Sequence, residues 1–456
     1  MTTQWANDAI FYHVYPLGAC GAPAQNDFVT PPVARLAQLF DWISHWQNLG
    51  ITALYLGPVF ESSAHGYDTV DYFTVDRRLG DAALLARLVA TLHDHGIRVI
   101  LDGVFNHVGR DFWAFQDVRR HGSDSPYCDW FAGLRFDRRS PYGDPFTYDT
   151  WNGAYDLVKL NLAHPDVRRH LFEATDAWIR DFGIDGLRLD AADCMDIGFL
   201  QALAHFCRER RPDFWLIGEV VHGDYRQVAN PATLNATTNY ECYKGLYSSH
   251  NDRNYFEIAA SLKRQFAPGG IYEGLSLYGF ADNHDVDRIA SRLRHPAHLY
   301  PLHLLLFTMP GVPSIYYGSE WGIKGTRSRH SDEALRPAIR RPDPQGMPHP
   351  ALADAIHRLS ELRKHLPALQ VGDYRELFVH PEQFAFARRT HDQTVVVAVN
   401  SANQPSHLRL WVPDLRGRRL HDLLSPGDSF EVHGEHVTLD PIAKHWGRIL
   451  VAAPGG

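Results

Sequence analysis

Apolar runs of buried-strand length recur along this chain, and most are followed by a stretch with helical periodicity. That alternation specifies parallel strands joined by helical crossovers, because parallel neighbours cannot be linked by a tight turn and are covered on both faces. The runs begin at Ala9 (AIFYHVYPL), Ala53 (ALYLGPVF), Arg98 (RVILDGVF), Gly186 (GLRLDAA), Trp215 (WLIGEVV), Leu234 (LNATTNY, a short one), Ser276 (SLYGFADN) and Pro313 (PSIYYG). Eight such units predict an α/β fold, a (β/α)8 TIM barrel.

Helices are expected at Pro32 to Leu49, between Asp81 as N-cap and Gly96 as C-cap, at His164 to Gly183, and at Gly198 to Arg210. Others are expected at Tyr255 to Phe266, His298 to Thr308 and Ala351 to His365. The rhythm breaks at residues 108–163, which are rich in Gly, Asp, Pro and aromatics and show no regular helical pattern. This reads as an insertion after the third strand, forming one wall of a site. From about Ala368 short alternating runs such as QFAFARR and TVVVAVN predict an antiparallel β-sandwich. The expected division is a barrel at 1–107 and 164–367, an inserted domain at 108–163 and a C-terminal sandwich at 368–456.

In such a barrel the carboxyl ends of the strands carry the chemistry. Four segments stand at expected strand ends and deliver carboxylates or histidines: DGVFNH (Asp102 to His107), GLRLDAAD (Gly186 to Asp193), IGEVV (Ile217 to Val221) and FADNHD (Phe280 to Asp285). Arg188 and Asp190 are two apart, so both face the same side of the sheet. A guanidinium there favours the ionised form of Asp190 and orients it as a nucleophile. Glu219, at the next strand end, suits a general acid if its surroundings are apolar. Carboxylates on adjacent strand ends can stand about 5–5.5 Å apart, the separation of a retaining glycosidase. A purely structural Arg188–Asp190 ion pair, with Glu219 capping a loop, stays open on these strands alone.

Composition narrows the partners. The 456 residues are 45% hydrophobic and 21% charged, which supports a large core and gives no sign of disorder. A net charge of −8 lacks the basic excess that phosphate backbones demand, so no nucleic acid is expected. Aromatics at 12% suit the apolar faces of sugars. No leader pattern or membrane-length segment is found, so a cytoplasmic location without a membrane partner is expected. Five scattered cysteines predict reduced thiols rather than disulfides or zinc. Histidines are abundant at 27, but groups such as His93 and His95 fall on an expected solvated helix end, and no metal ligand is assigned.

Taken in order, these segments resemble the α-amylase family of glycoside hydrolases over about Ile10 to Gly322. Asn106 and His107 match its first conserved region, Gly186, Arg188 and Asp190 its second, Gly218 and Glu219 its third, and Asn283, His284 and Asp285 its fourth. HGYDTVDYF (His65 to Phe73) and GVPSIYYGSE (Gly311 to Glu320) are also family-like. LVKLN (Leu157 to Asn161) is similar to the MPKLN signature of the neopullulanase and cyclomaltodextrinase branch.

The resemblance implies Asp190 as nucleophile, Glu219 as acid and then base, and Asp285 as a third carboxylate on the sugar's 2- and 3-hydroxyls. It implies that His107 and His284 bind hydroxyls of the same sugar, that Tyr67 stacks beneath its ring, and that His65 belongs to that subsite. Arg188 is placed in the substrate site as well, with Asp102 as its structural partner. Calcium-dependent relatives end the second region in Lys-His, where Asp193 and Cys194 stand here. No cofactor is therefore required; calcium is possible but not predicted, and Asn106 is read as a brace for the inserted loop. Ala64 occupies the position of an acidic residue in exo-acting α-glucosidases, which disfavours gripping a chain end there. The branch's usual N-terminal β-domain is not expected, so any oligomer is built otherwise. The expected activity is retaining hydrolysis of short or cyclic maltooligosaccharides. A glucanotransferase or disaccharide isomerase is the alternative, and a non-catalytic interaction subunit is disfavoured by the three carboxylates.

Overall fold

Eight parallel strands form the barrel in the computed structural model, which describes residues 4–329 and 331–452. They are β1 (Phe11–Val14), β2 (Ala53–Leu56), β3 (Arg98–Gly103), β4 (Gly186–Leu189), β5 (Trp215–Gly218), β6 (Ala236–Thr237), β7 (Tyr278–Phe280) and β8 (Val312–Tyr316). Neighbours run β6-β5-β4-β3-β2-β1-β8-β7, and a parallel bridge from Thr238 to Tyr278 closes the ring.

Strand alternation sorts the side chains into two cores. Phe11, Tyr55, Ile100, Ile217 and Phe280 pack together inside the barrel. Tyr12, Leu54, Leu101, Leu187 and Leu216 belong instead to the large core between strands and helices. Counting by twos from the interior Ile217 reaches Glu219, and counting from Arg188 reaches Asp190. Both carboxylates are thus the next inward positions beyond the carboxyl ends of β5 and β4. Close strand packing requires glycine in both: a Cβ at Gly186 would meet the Trp215 carbonyl oxygen at 2.3 Å, and one at Gly218 would meet Leu234 and Ala192 side chains at 2.7 and 2.8 Å.

The crossovers include α1 (Ala82–Asp94), where Asp81 caps the helix by accepting Leu84 N–H at 2.8 Å. Several expectations need correction. Residues 108–163 do contain a helix, α2 (Trp113–His121), which buries Ala114, Phe115 and Val118 and carries Arg119, Arg120 and His121 in its last turn, where positive charge is favourable. The inserted segment also pairs His107–Gly109 with Ala154–Lys159 in an antiparallel sheet. Pro32 to Leu49 is not one α-helix but a 3-10 stretch, Arg35–Trp42, running into a short helix, Ile43–Asn48. ALYLGPVF breaks at Gly57-Pro58, where proline offers no N–H, and Phe60–Ser62 joins a hairpin with Thr69–Val75. His93 is not simply solvated: its Nε2 lies 2.7 Å from Asp185 Oδ2.

Next come α3 (Pro165–Ala177), α4 (Ile197–Arg210), α5 (Tyr240–Asn251), α6 (Tyr255–Phe266), α7 (Leu299–Thr308) and α8 (Pro350–His365). Helix α5 had no counterpart in the sequence reading. Beyond them, eight antiparallel strands follow as β9 (Asp373–His380), β10 (Gln383–Arg389), β11 (Thr394–Asn400), β12 (Ser406–Trp411), β13 (Arg419–Asp422), β14 (Ser429–His433), β15 (His436–Ile442) and β16 (Trp446–Ala452). Their order is β9-β10-β11-β16-β13-β14-β15-β12, wrapped about Val396, Ala398, Leu410, Val437 and Leu450. Buried Arg388 fastens this layer to the barrel by donating to the Thr308 carbonyl at 2.8 Å. The outermost residues of the expected ranges, 1–3 and 453–456, lie outside the described residues.

Candidate active site

Register brings the first pair together. Asp102 on β3 lies opposite Arg188 on β4, and Leu189 lies opposite Gly218 on β5. The guanidinium of Arg188, 4% exposed, becomes a hub. Its Nη1 donates to Asp102 Oδ1 at 2.9 Å and to Asp190 Oδ1 at 2.9 Å, and its Nη2 pairs with Glu219 Oε2 at 2.8 Å. Two carboxylates from adjacent strand ends therefore share one cation. Burial and the charges of Glu219, Asp102 and Asp285 push Asp190 up, while Arg188 opposes them.

Glu219 does not sit against the apolar wall expected of it. Besides Arg188 it accepts the Ala191 N–H at 3.2 Å and the Tyr240 hydroxyl at 3.1 Å. Ala191 adopts the left-handed region (φ 47°), uncommon for a residue with a Cβ, and this turn follows Asp190 directly.

Asp285 belongs to the opposite side of the mouth, beyond β7. His284 Nε2 stands 3.0 Å from its Oδ2 and Arg336 Nη2 3.2 Å from its Oδ1. Burial by itself would raise this carboxyl, but the charges of His284, Arg336 and Arg188 outweigh burial and hold it well below the usual carboxylate range.

The remaining expected residues gather at the same mouth. His107 is buried, with Nε2 3.7 Å from Asp190 Oδ2 and Nδ1 3.2 Å from Asn106 Nδ2. Burial keeps its imidazole neutral, pushed down to about 3. Tyr67 is 8% exposed, its ring parallel to His284 at 5.3 Å between centroids. Its hydroxyl donates to Asp102 at 2.9 Å and also meets His284 Nε2, so it braces the pocket floor and has little ring left for a ligand. His65 is half-buried, and its Nδ1 accepts the Tyr67 N–H at 3.2 Å.

Comparison with known proteins decides the family. Residues 36–345 match the family described as Alpha amylase, catalytic domain, and residues 377–446 match Maltogenic Amylase, C-terminal domain. The chain belongs to the α-amylase family of glycoside hydrolases. It is 31% identical to a cyclomaltodextrinase of Geobacillus thermopakistaniensis, over 98% of this chain and 77% of the relative. It is 30% identical to neopullulanase 2 of Thermoactinomyces vulgaris, over 95% and 76%. Among solved structures it resembles the cyclic α-maltosyl-(1→6)-maltose hydrolase of Arthrobacter globiformis, with a TM-score of 0.81, 25% identity and coverage of 98% and 99%.

This α-amylase family member gathers more residues at its mouth than the sequence reading named. Tyr240, which starts α5, donates to Glu219 and accepts Asn283 Nδ2 at 3.1 Å. The rule of looking just past a strand end would have found it, since β6 ends three residues earlier. Arg336 directly follows a single 3-10 turn, Glu333–Leu335, where no periodicity flags it; its guanidinium also lies over the Tyr15 ring at 4.6 Å. His13 and Tyr55 stack at 4.1 Å on the inward positions of β1 and β2. Tyr55 donates to Asp102 at 2.7 Å. Asn106 braces the insertion through its carbonyl, which accepts the Leu160 N–H at 3.0 Å. Calcium takes six to eight oxygens. Asp193 and Cys194 occupy a short turn, with Cys194 exposed.

Proposed function

We propose that this protein is a retaining α-glucan hydrolase that opens short or cyclic maltooligosaccharides by double displacement. The observation that carries this reading is the pair Asp190 and Glu219 on adjacent strand ends, the first hydrogen-bonded to and the second ion-paired with the same guanidinium. Asp190 attacks the anomeric carbon as Glu219 delivers a proton to the glycosidic oxygen, and the C–O bond to the leaving sugar breaks. A β-linked ester to Asp190 results. Glu219, now deprotonated, takes a proton from water, whose oxygen displaces Asp190 and restores the α configuration. Asp285 accepts hydrogen bonds from ring hydroxyls, contacts that strengthen as the sugar flattens toward the oxocarbenium ion. His107, His65 and His284 offer further partners for the same sugar, and Tyr67 supports its floor. The relatives named for cyclic glucans support this choice of substrate.

The same reading divides the chain into a barrel (1–107 and 164–367), an inserted wall (108–163) and a C-terminal sandwich (368–456). Among the described residues no helix is long and apolar enough to cross a membrane, and action in the cytoplasm fits a substrate of short oligosaccharides. Cell fractionation with an antibody to the protein checks the location.

The deciding experiment replaces Asp190→Asn and Glu219→Gln and assays release of reducing ends from cyclodextrin and maltotriose. Each variant loses several orders of magnitude in turnover while keeping its circular dichroism spectrum. Near-normal turnover in either variant overturns the assignment. Products larger than maltotriose with little glucose would favour glucan transfer by the same carboxylates.

A further inference from the structure

Three histidines that the glycosidase chemistry does not use converge where the barrel meets the C-terminal layer. His295 and His298 lie just before α7, and His445 occupies the turn between β15 and β16. Their ring centroids are 5.0 to 5.5 Å apart, and one nitrogen from each lies within 4.8 Å of the others. Among the described residues this is the only group of three or more His, Cys, Asp or Glu side chains close enough to share a metal ion.

The hydrogen bonding shows which nitrogens are offered. Nε2 of His298 lies 3.1 Å from the Ser401 carbonyl oxygen, which can only accept, so Nε2 carries the proton and Nδ1 keeps a free lone pair. His298 is 7% exposed, and its Nδ1 is buried with no hydrogen-bond partner; the same holds for Nδ1 of His445. A neutral imidazole whose N–H is anchored on a backbone carbonyl, with the opposite nitrogen bare, is the arrangement of a metal-ligating histidine and its supporting shell. Neighbouring His250 makes a useful contrast. Its two nitrogens are taken by the Leu246 carbonyl at 2.6 Å and the Tyr255 hydroxyl at 3.0 Å, so it offers nothing. The backbone of His445 is held in the left-handed region (φ 50°), an uncommon cost for a residue with a Cβ, and that turn brings the ring to the cluster.

We propose that His295, His298 and His445 bind a divalent first-row transition cation, with zinc as the best match, and so clip the barrel to the C-terminal layer. Three neutral imidazoles suit zinc, cobalt, nickel or copper and not the oxygen-seeking calcium or magnesium. Zinc keeps its nitrogens at about 2.0–2.1 Å in a tetrahedron, so the three donors must draw together by up to about 1.5 Å. Exposed His295 can turn inward to do so, giving up only a 3.2 Å contact between its Nδ1 and the Ala297 N–H. The fourth position is left to water.

The test uses this 456-residue chain, tag-free and stripped by a chelator, titrated with Zn2+ against a chromophoric competitor and, separately, with Co2+ followed by its visible absorption. Wild type binds one equivalent and its urea midpoint rises with Zn2+. His295→Ala and His445→Gln each weaken binding at least tenfold and abolish the rise. His391→Ala and His433→Ala, at histidine side chains 98% and 84% exposed, change neither. Wild type without stoichiometric binding, or cluster variants that bind as it does, overturns the proposal. His298→Gln is left out because its burial makes misfolding the simpler outcome.

Discussion

Asp102 accepts two hydrogen bonds from Nη1 of Arg188, at 2.9 and 3.2 Å, and so sets the orientation of the guanidinium that Asp190 and Glu219 share. An asparagine there keeps the size of the side chain but removes the charge. Breaking a buried ion pair costs about 3–5 kcal/mol, and a small misplacement of reacting groups costs about 100-fold in rate. Asp102→Asn therefore lowers both the urea midpoint and kcat, the latter by roughly 10- to 100-fold. Wild-type kcat in a stably folded Asp102→Asn enzyme would show that the hub does not orient the carboxylates.

If Glu219 is the acid, its importance depends on the leaving group. General acid catalysis is worth about 100- to 10,000-fold for a poor leaving group. Glu219→Gln should lose that much on maltotriose and roughly tenfold or less in the first step on a nitrophenyl α-maltoside, whose phenolate departs without a proton. An equal loss on both substrates, measured as burst rates, would falsify the acid role.

Tyr240 places one hydroxyl between Glu219 and Asn283. Tyr240→Phe deletes both hydrogen bonds without opening a cavity. Each such hydrogen bond is worth about 0.5–1.5 kcal/mol net, so loss of the two lowers kcat/KM by roughly 10- to 100-fold with the thermal midpoint little changed. Unaltered kinetics would mean that Arg188 and Ala191 alone hold the acid.

Arg336 ties Asp285 at 3.2 Å to Asp332 at the same distance and to the His284 carbonyl at 3.1 Å. Lysine cannot reproduce that fork. Both Arg336→Ala and Arg336→Lys should lower kcat/KM for maltotriose by at least tenfold. Full activity in the lysine variant would reduce the role of Arg336 to charge alone.

Buried neutral histidines make the fold sensitive to acid. Burial pushes His107 down to about 3 and His303 down to about 4. In the unfolded chain such groups take a proton near pH 6.5, so below that pH the unfolded state binds more protons and stability falls with pH. Their contribution is whole above about pH 6.5 and is lost as pH drops toward 4, by about tenfold in the folding equilibrium per pH unit for each group. Asp285, held low, extends the loss at still lower pH, and Asp190, held high, works against it. The urea midpoint should be level from roughly pH 8 to 6.5 and decline below. A midpoint unchanged to pH 4.5 would contradict this.

Much of this was legible in one dimension. Strand alternation has a period of two, so once the eight apolar runs were placed, the inward parity of Arg188, Asp190 and Glu219 followed, and the four strand-end segments pointed to one mouth. Helices whose caps are local, such as the one that Asp81 starts, were readable for the same reason. The short helix Trp113–His121 was hidden because glycine, aspartate and proline around it mask three buried positions.

Residue order along the chain determined the barrel and the C-terminal antiparallel layer and pointed to the proposed trio Asp190, Glu219 and Asp285, because each depends on patterns a few residues long. Only the folded chain decided that one guanidinium serves both Asp190 and Glu219, that Tyr240 and Arg336 hold Glu219 and Asp285, and that His445 meets His295 and His298. Those contacts join residues up to 150 positions apart. Nothing local in a sequence records which distant side chains the packing of a closed barrel will bring within a hydrogen bond of each other.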